Sequence, residues 1–143
     1  MNRRIDVIFE ARVTVLTKVM IRRQVMCILD GENIRSCVLN IIFVEAEYIR
    51  QLNQTYLGKN QTTDVIAFPL EDFDSEMIEG EIYICTEAAK QQAKDFNVSY
   101  QNELLRLTVH GVLHLVGYDD LDEQARSNMR NAEDTYLSLC AAS

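Results

Sequence analysis

The chain's only two histidines, His110 and His114, stand four residues apart in the segment His110-Gly-Val-Leu-His114-Leu-Val-Gly117-Tyr-Asp-Asp120. On a helix, positions i and i+4 share one face, so both imidazoles can turn toward one metal ion. Gly117 can adopt the positive φ that ends a helix, which brings a following acidic side chain back toward the pair. Two histidines and a carboxylate supply three protein ligands and leave a fourth position for water. That is the arrangement of a catalytic zinc site rather than a structural one. The plainer alternative is a pair of histidines that merely share a core or surface helix.

Such ligands need a rigid helix behind them. Ser99 is a suitable N-cap, and Leu104, Leu105, Leu107, Val112, Leu113 and Leu115 give the histidine helix an apolar side to bury. Upstream, Ile5–Phe9 reads as a short strand and Ala11–Leu29 as a helix with Val13, Leu16, Val19 and Met20 on one side. Asp30-Gly31-Glu-Asn reads as a turn. Cys37–Val44 is an almost unbroken apolar run rich in β-branched residues, the pattern of a buried strand. A helix follows over Glu45–Tyr56, then strands over Asp64–Phe68 and Glu81–Cys85, with Pro69 as a stop. Thr86 is placed to cap a helix to about Phe96, and a last helix spans Leu121–Leu139. The expected fold is α+β: one domain over residues 1–143, with about four strands, about five helices and the metal site on a C-terminal helix.

The histidine segment resembles the signature of the YbeY-type endoribonucleases, the bacterial rRNA maturation factors, which reads His-Gly-x-Leu-His-Leu-x-Gly-Tyr-Asp-His. The match runs in register from His110 through Asp119. Two further stretches agree. Thr63-Asp64-Val65-Ile66-Ala67-Phe68-Pro69 is similar to the family's Thr-Asp-Val-Leu-Ser-Phe-Pro, and Gly80-Glu81-Ile82-Tyr83-Ile84 to its Gly-Asp-Ile-x-Ile. The resemblance implies cleavage of single-stranded RNA, maturation of the 3′ end of small-subunit (16S) rRNA, a role in ribosome quality control, and one zinc ion.

Two positions depart from that pattern. Asp120 stands where the family has its third ligand histidine. The expected ligand set is therefore His110, His114 and Asp120, with Asp119 as the neighbouring alternative. A carboxylate is an acceptable third zinc ligand, although it lowers the site's net charge and makes bound water less acidic. Asp120-x-x-Glu123 also reads as a capping box for the last helix, so two roles compete for Asp120. The second departure lies in Leu52-Asn53-Gln54-Thr55-Tyr56-Leu57-Gly58-Lys59, where the family reads Leu-Asn-x-x-Tyr-Arg-x-Lys. Leu57 occupies the place of an arginine held to serve RNA cleavage. Lys59 remains as the candidate substrate-binding residue, but an ammonium lacks the bidentate fork of a guanidinium. No residue presents itself as a general base.

Composition frames the partners. Hydrophobic residues make up 48% of the 143-residue chain, enough for one sizeable core. There is no apolar run of about eighteen residues, so no spanning helix and no membrane partner are expected. The N-terminus lacks a signal-like apolar core, which argues for the cytoplasm. Cys27, Cys37, Cys85 and Cys140 are widely spaced, as suits free thiols better than disulfides or a second zinc site. Net charge is −8, unfavourable for an RNA partner, yet it is unevenly spread. Residues 1–60 hold nine Lys or Arg against six Asp or Glu, giving +3, while residues 61–143 hold five against sixteen, giving −11. Arg12, Lys18, Arg22 and Arg23 cluster in the first helical stretch, with Arg3 and Arg4 ahead of it. A solvated helix face is the simpler account of that cluster, and a solvated loop that of the acidic run over residues 71–76.

The reading is therefore a cytoplasmic, zinc-dependent endoribonuclease acting on single-stranded ribosomal RNA or the small subunit, its activity reduced by Leu57. Two alternatives stand beside it. One is a ribosome-assembly binding protein with a structural zinc and weak or lost catalysis. The other is a metalloprotease, which the His-x3-His-x2-Gly-x2-Asp spacing allows. Proteases of that kind carry a Glu after the first histidine, where this chain has Gly111.

Overall fold

The computed structural model describes residues 2–70 and 77–142. The acidic run at 71–76 lies outside them. Its elements follow the order β1 (Asn2–Phe9), α1 (Lys18–Gly31), β2 (Ser36–Val44), α2 (Ala46–Leu57), β3 (Val65–Pro69), β4 (Ile78–Cys85), α3 (Thr86–Phe96), α4 (Tyr100–Val116) and α5 (Glu123–Ala142). The strands form one sheet in the order β1-β2-β4-β3. β1, β2 and β4 run parallel, and β3 closes the edge antiparallel to β4. This is the expected α+β domain with a four-stranded mixed sheet.

Strand alternation divides the core in two. Leu39, Ile41, Phe43, Ile82 and Ile84 point to one face, where they pack with Ile21, Val25 and Ile28 of α1 and with Leu104, Leu113 and Leu115 of α4. Ile42, Val44, Ile66 and Cys85 point to the other face, against Ile49 of α2. A strand covered on both faces is apolar at consecutive positions, which is why residues 41–44 read as an unbroken run. α4 touches α1, α3, α5, β3 and β4, making it the central helix of the fold.

Several boundaries differ from the sequence reading. β1 begins at Asn2 and β4 at Ile78, because residues 2–4 pair with 36–38 and residues 78–80 with 37–39. The first helix starts at Lys18 rather than Ala11. The backbone N–H groups of Glu10 and Ala11 both donate to Phe43 O, holding the chain against the sheet, and the Thr17 hydroxyl caps Met20 N at 3.2 Å. That helix continues through Asp30 and Gly31, so the turn falls at Glu32–Asn33 instead. Thr86 does not cap α3. Cys85 holds the cap position, and the Thr86 hydroxyl donates to Val44 O at 3.3 Å. Pro69 ends β3 within the strand, which an edge position tolerates. Cys37, Cys85 and Cys140 are buried and Cys27 half-buried, and no disulfide joins them.

Candidate metal centre

α4 carries both histidines and is held from end to end. The Ser99 hydroxyl accepts from Asn102 N at 3.0 Å, the cap expected from sequence. At the other end Gly117 adopts φ +122°. Its N–H donates to Leu113 O and His114 O, and Tyr118 N–H donates to Leu113 O at 3.0 Å. These bonds satisfy the last carbonyls of the helix and reverse the chain within two residues.

The reversal brings Asp120 to the histidine face. His110, His114 and Asp120 line one cleft of about 150 Å³, together with Gly111 of α4 and Val65 and Ala67 of β3. The cleft thus lies where α4 crosses the edge strand. Among the described residues, no three His, Cys, Asp or Glu side chains are drawn together tightly enough to enclose an ion. The donor chemistry nevertheless fits a divalent metal: two imidazoles on one helix face, and an exposed carboxylate on the adjoining turn.

One supporting residue was not anticipated. Glu133 of α5 places Oε2 2.7 Å from His110 Nδ1. Its Oε1 accepts from Arg106 Nη1 at 3.1 Å, while Arg106 Nη2 donates to Asp134 Oδ1 at 2.8 Å. A carboxylate on Nδ1 fixes the ring and its tautomer, so that Nε2 is the nitrogen left for a ligand. The same bond raises the His110 pKa above the ordinary imidazole range, against the opposing effect of burial. The signal in the sequence was a charge within an apolar stripe. Met129, Glu133, Tyr136 and Cys140 follow helical spacing, and all are buried.

The two roles proposed for Asp120 separate cleanly. The cap of α5 is Asp122, whose Oδ1 accepts from Ala125 N at 2.7 Å, so the capping box at Asp120 is overturned. Asp119 is also occupied, its Oδ1 accepting from Leu121 N at 3.1 Å. Asp120 joins the local turn through its backbone carbonyl, which accepts from Arg126 Nη1. Asp120→Ala is therefore expected to weaken metal binding and leave thermal stability nearly unchanged. Asp122→Ala should cost about 1 kcal/mol of stability and keep the metal. Metal titration and thermal melts of both variants check this, and loss of metal in Asp119→Ala instead would show the wrong ligand had been chosen.

The two positions flagged near the family arginine lie elsewhere. Leu57 ends α2 on the opposite face of the sheet and is 52% exposed. Gly58 then takes φ +68°, and Lys59, also exposed, starts the loop to β3. Neither residue lines the histidine cleft. Nearer to it, Glu103 of α4 is buried, and desolvation pushes its carboxyl above the usual range despite the attraction of Arg106.

A family description, Endoribonuclease YbeY, matches residues 9–141. The chain belongs to the YbeY family. Relatives described as endoribonuclease YbeY include one from Carboxydothermus hydrogenoformans, 41% identical over 76% of this chain and 76% of its own length. Another, from Salinibacter ruber, is 34% identical over 82% of this chain and 80% of its own. A solution structure of a protein from Thermotoga maritima superimposes with a TM-score of 0.67 at 28% identity, covering 95% of this chain and 88% of that one. The match to the YbeY family and the likeness to that structure both span most of the chain, the histidine helix included. Among the described residues no helix is long and apolar enough to cross a membrane.

Proposed function

We propose that the chain is a metal-dependent endoribonuclease that cuts single-stranded RNA, acting in 3′-end maturation of small-subunit rRNA and in ribosome quality control. The observation that carries this reading is the shared cleft of His110, His114 and Asp120 at the crossing of α4 and β3. These three residues would hold one zinc ion, which when bound supplies Lewis-acid stabilisation of the charge that develops on a scissile phosphate. Glu133, clamped by Arg106, keeps His110 oriented toward the cleft. Val65 and Ala67 give it an apolar wall that limits water on the β3 side. The protease alternative loses support on packing grounds. Gly111, where such an enzyme needs its glutamate, is pressed against the sheet.

Activity is expected to be weak, because Leu57 contributes no charge where YbeY-type sequences carry arginine. Because position 57 lies outside the cleft, Leu57→Arg should raise single-strand cleavage mainly through a lower KM for RNA, and a chelator should abolish it. The site is favourable for the test because position 57 is exposed at a helix end, so folding is not at stake. The same leucine favours the alternative of an assembly-binding protein with lost catalysis. If Leu57→Arg cleaves no better than the parent while both bind small subunits, that reading replaces the nuclease.

A further inference from the structure

Resting on the RNA-directed reading above, we propose that the outer side of α1, with the β1 edge beside it, is a second docking surface that grips the phosphate backbone of RNA away from the cleft. α1 shows Lys18, Arg22 and Arg23 to solvent, and Arg12 is exposed on the segment leading into it. Among the described residues, Arg12, Lys18 and Arg23 form no ion pair. Arg22 donates from Nε to Ile5 O at 3.1 Å, which lays its guanidinium along the open edge of β1. Arg4 and Asp6 of β1, 3.3 Å apart, alternate to the other face of the sheet and lie outside this surface.

Acidic groups around this face are few. The only acid on α1 is Asp30 in its last turn, and Arg3 holds it at 2.7 Å. At the end of β1, Glu10 adds one exposed carboxylate. The face therefore stays net positive on a chain whose total is −8. Residues 61–143, with five basic against sixteen acidic groups, repel a polyanion. The β1–α1 face is thus where a long RNA is attracted. Three of its four cations are arginines, whose planar forks match phosphate oxygens. Val19, 70% exposed between Lys18 and Arg22, offers apolar contact in the same patch.

A competing account has these charges only guarding the unpaired β1 edge against strand pairing. The experiment separates the two. The full chain and the triple variant Lys18→Gln, Arg22→Gln, Arg23→Gln are titrated with labelled single-stranded RNA in chelator, across a salt series, and sized by sedimentation. Loss of three phosphate contacts should flatten the slope of log K against log salt by about 2, at about 0.7 per phosphate. Affinity at low salt should fall at least tenfold, and Arg22→Lys, Arg23→Lys should retain most of it. With metal restored, the triple variant should show a raised KM and an unchanged kcat. Equal slopes and affinities overturn the proposal, as does a variant that dimerises while binding RNA normally. If the parent binds with the salt slope the variant loses but never cleaves, the docking surface stands and the nuclease reading fails. If the parent binds no RNA at all, both fail.

Discussion

His114→Ala is expected to abolish stoichiometric zinc binding and RNA cleavage while the protein stays folded. His114 is exposed on α4, and alanine is the better helix former, so the substitution removes a donor without opening a cavity. With one imidazole gone, His110 and Asp120 are a pair that water and buffer ligands displace readily. Two readouts are needed. Metal content of the purified protein should fall from one per chain to near zero. Added zinc should also stop stabilising the fold: at a hundredfold excess over Kd the parent gains about 2.7 kcal/mol, and the variant should gain almost nothing. A His114 variant that keeps one tightly held zinc would remove the site from this cleft.

Gly111→Glu, which writes in the glutamate of a metalloprotease, is expected to damage the fold without creating a peptidase. A Cβ at position 111 would sit 2.5 Å from Ile82 Cγ2 and 3.3 Å from its Cγ1. Ile82 is itself fully buried at the centre of the sheet and has nowhere to retreat. Overpacking of this kind costs about 1–3 kcal/mol, which for Gly111→Ala is partly offset by about 1 kcal/mol of helix propensity. For glutamate the desolvated carboxylate adds about 1–3 kcal/mol more. Denaturant midpoints should therefore fall slightly for alanine and steeply for glutamate. Ile82→Ala combined with Gly111→Ala should lose less than the sum of the two, since Ile82→Ala removes the atoms that clash with the new Cβ. A Gly111→Glu protein as stable as the parent would show that α4 and β4 are not so tightly apposed.

The contrast between these two positions is also the contrast between what residues declare locally and what they acquire by packing. His110, His114 and Gly117 were legible because a helix sets side-chain direction by sequence spacing, and a glycine's backbone freedom is its own property. The same holds for the Ser99 cap and for the apolar run of β2, where covering on both faces leaves Asn40 as the one polar residue of Cys37–Val44. Helix starts were less legible. Val13 and Leu16 pack on the core like helix residues, yet the chain entering that stretch is tied through Glu10 and Ala11 to Phe43 O, a contact distant in sequence.

The site divides in the same way. By itself the sequence determined the donor types, their spacing and the two departures at Asp120 and Leu57. Only the tertiary structure decided that α5 returns Glu133 to His110 Nδ1, and that Gly111 is glycine because Ile82 fills the space beside it. The physical reason is that local periodicity fixes which face a residue occupies. Which partner meets that face depends on contacts between elements far apart in the chain, such as α4 and α5, and local periodicity carries no record of those.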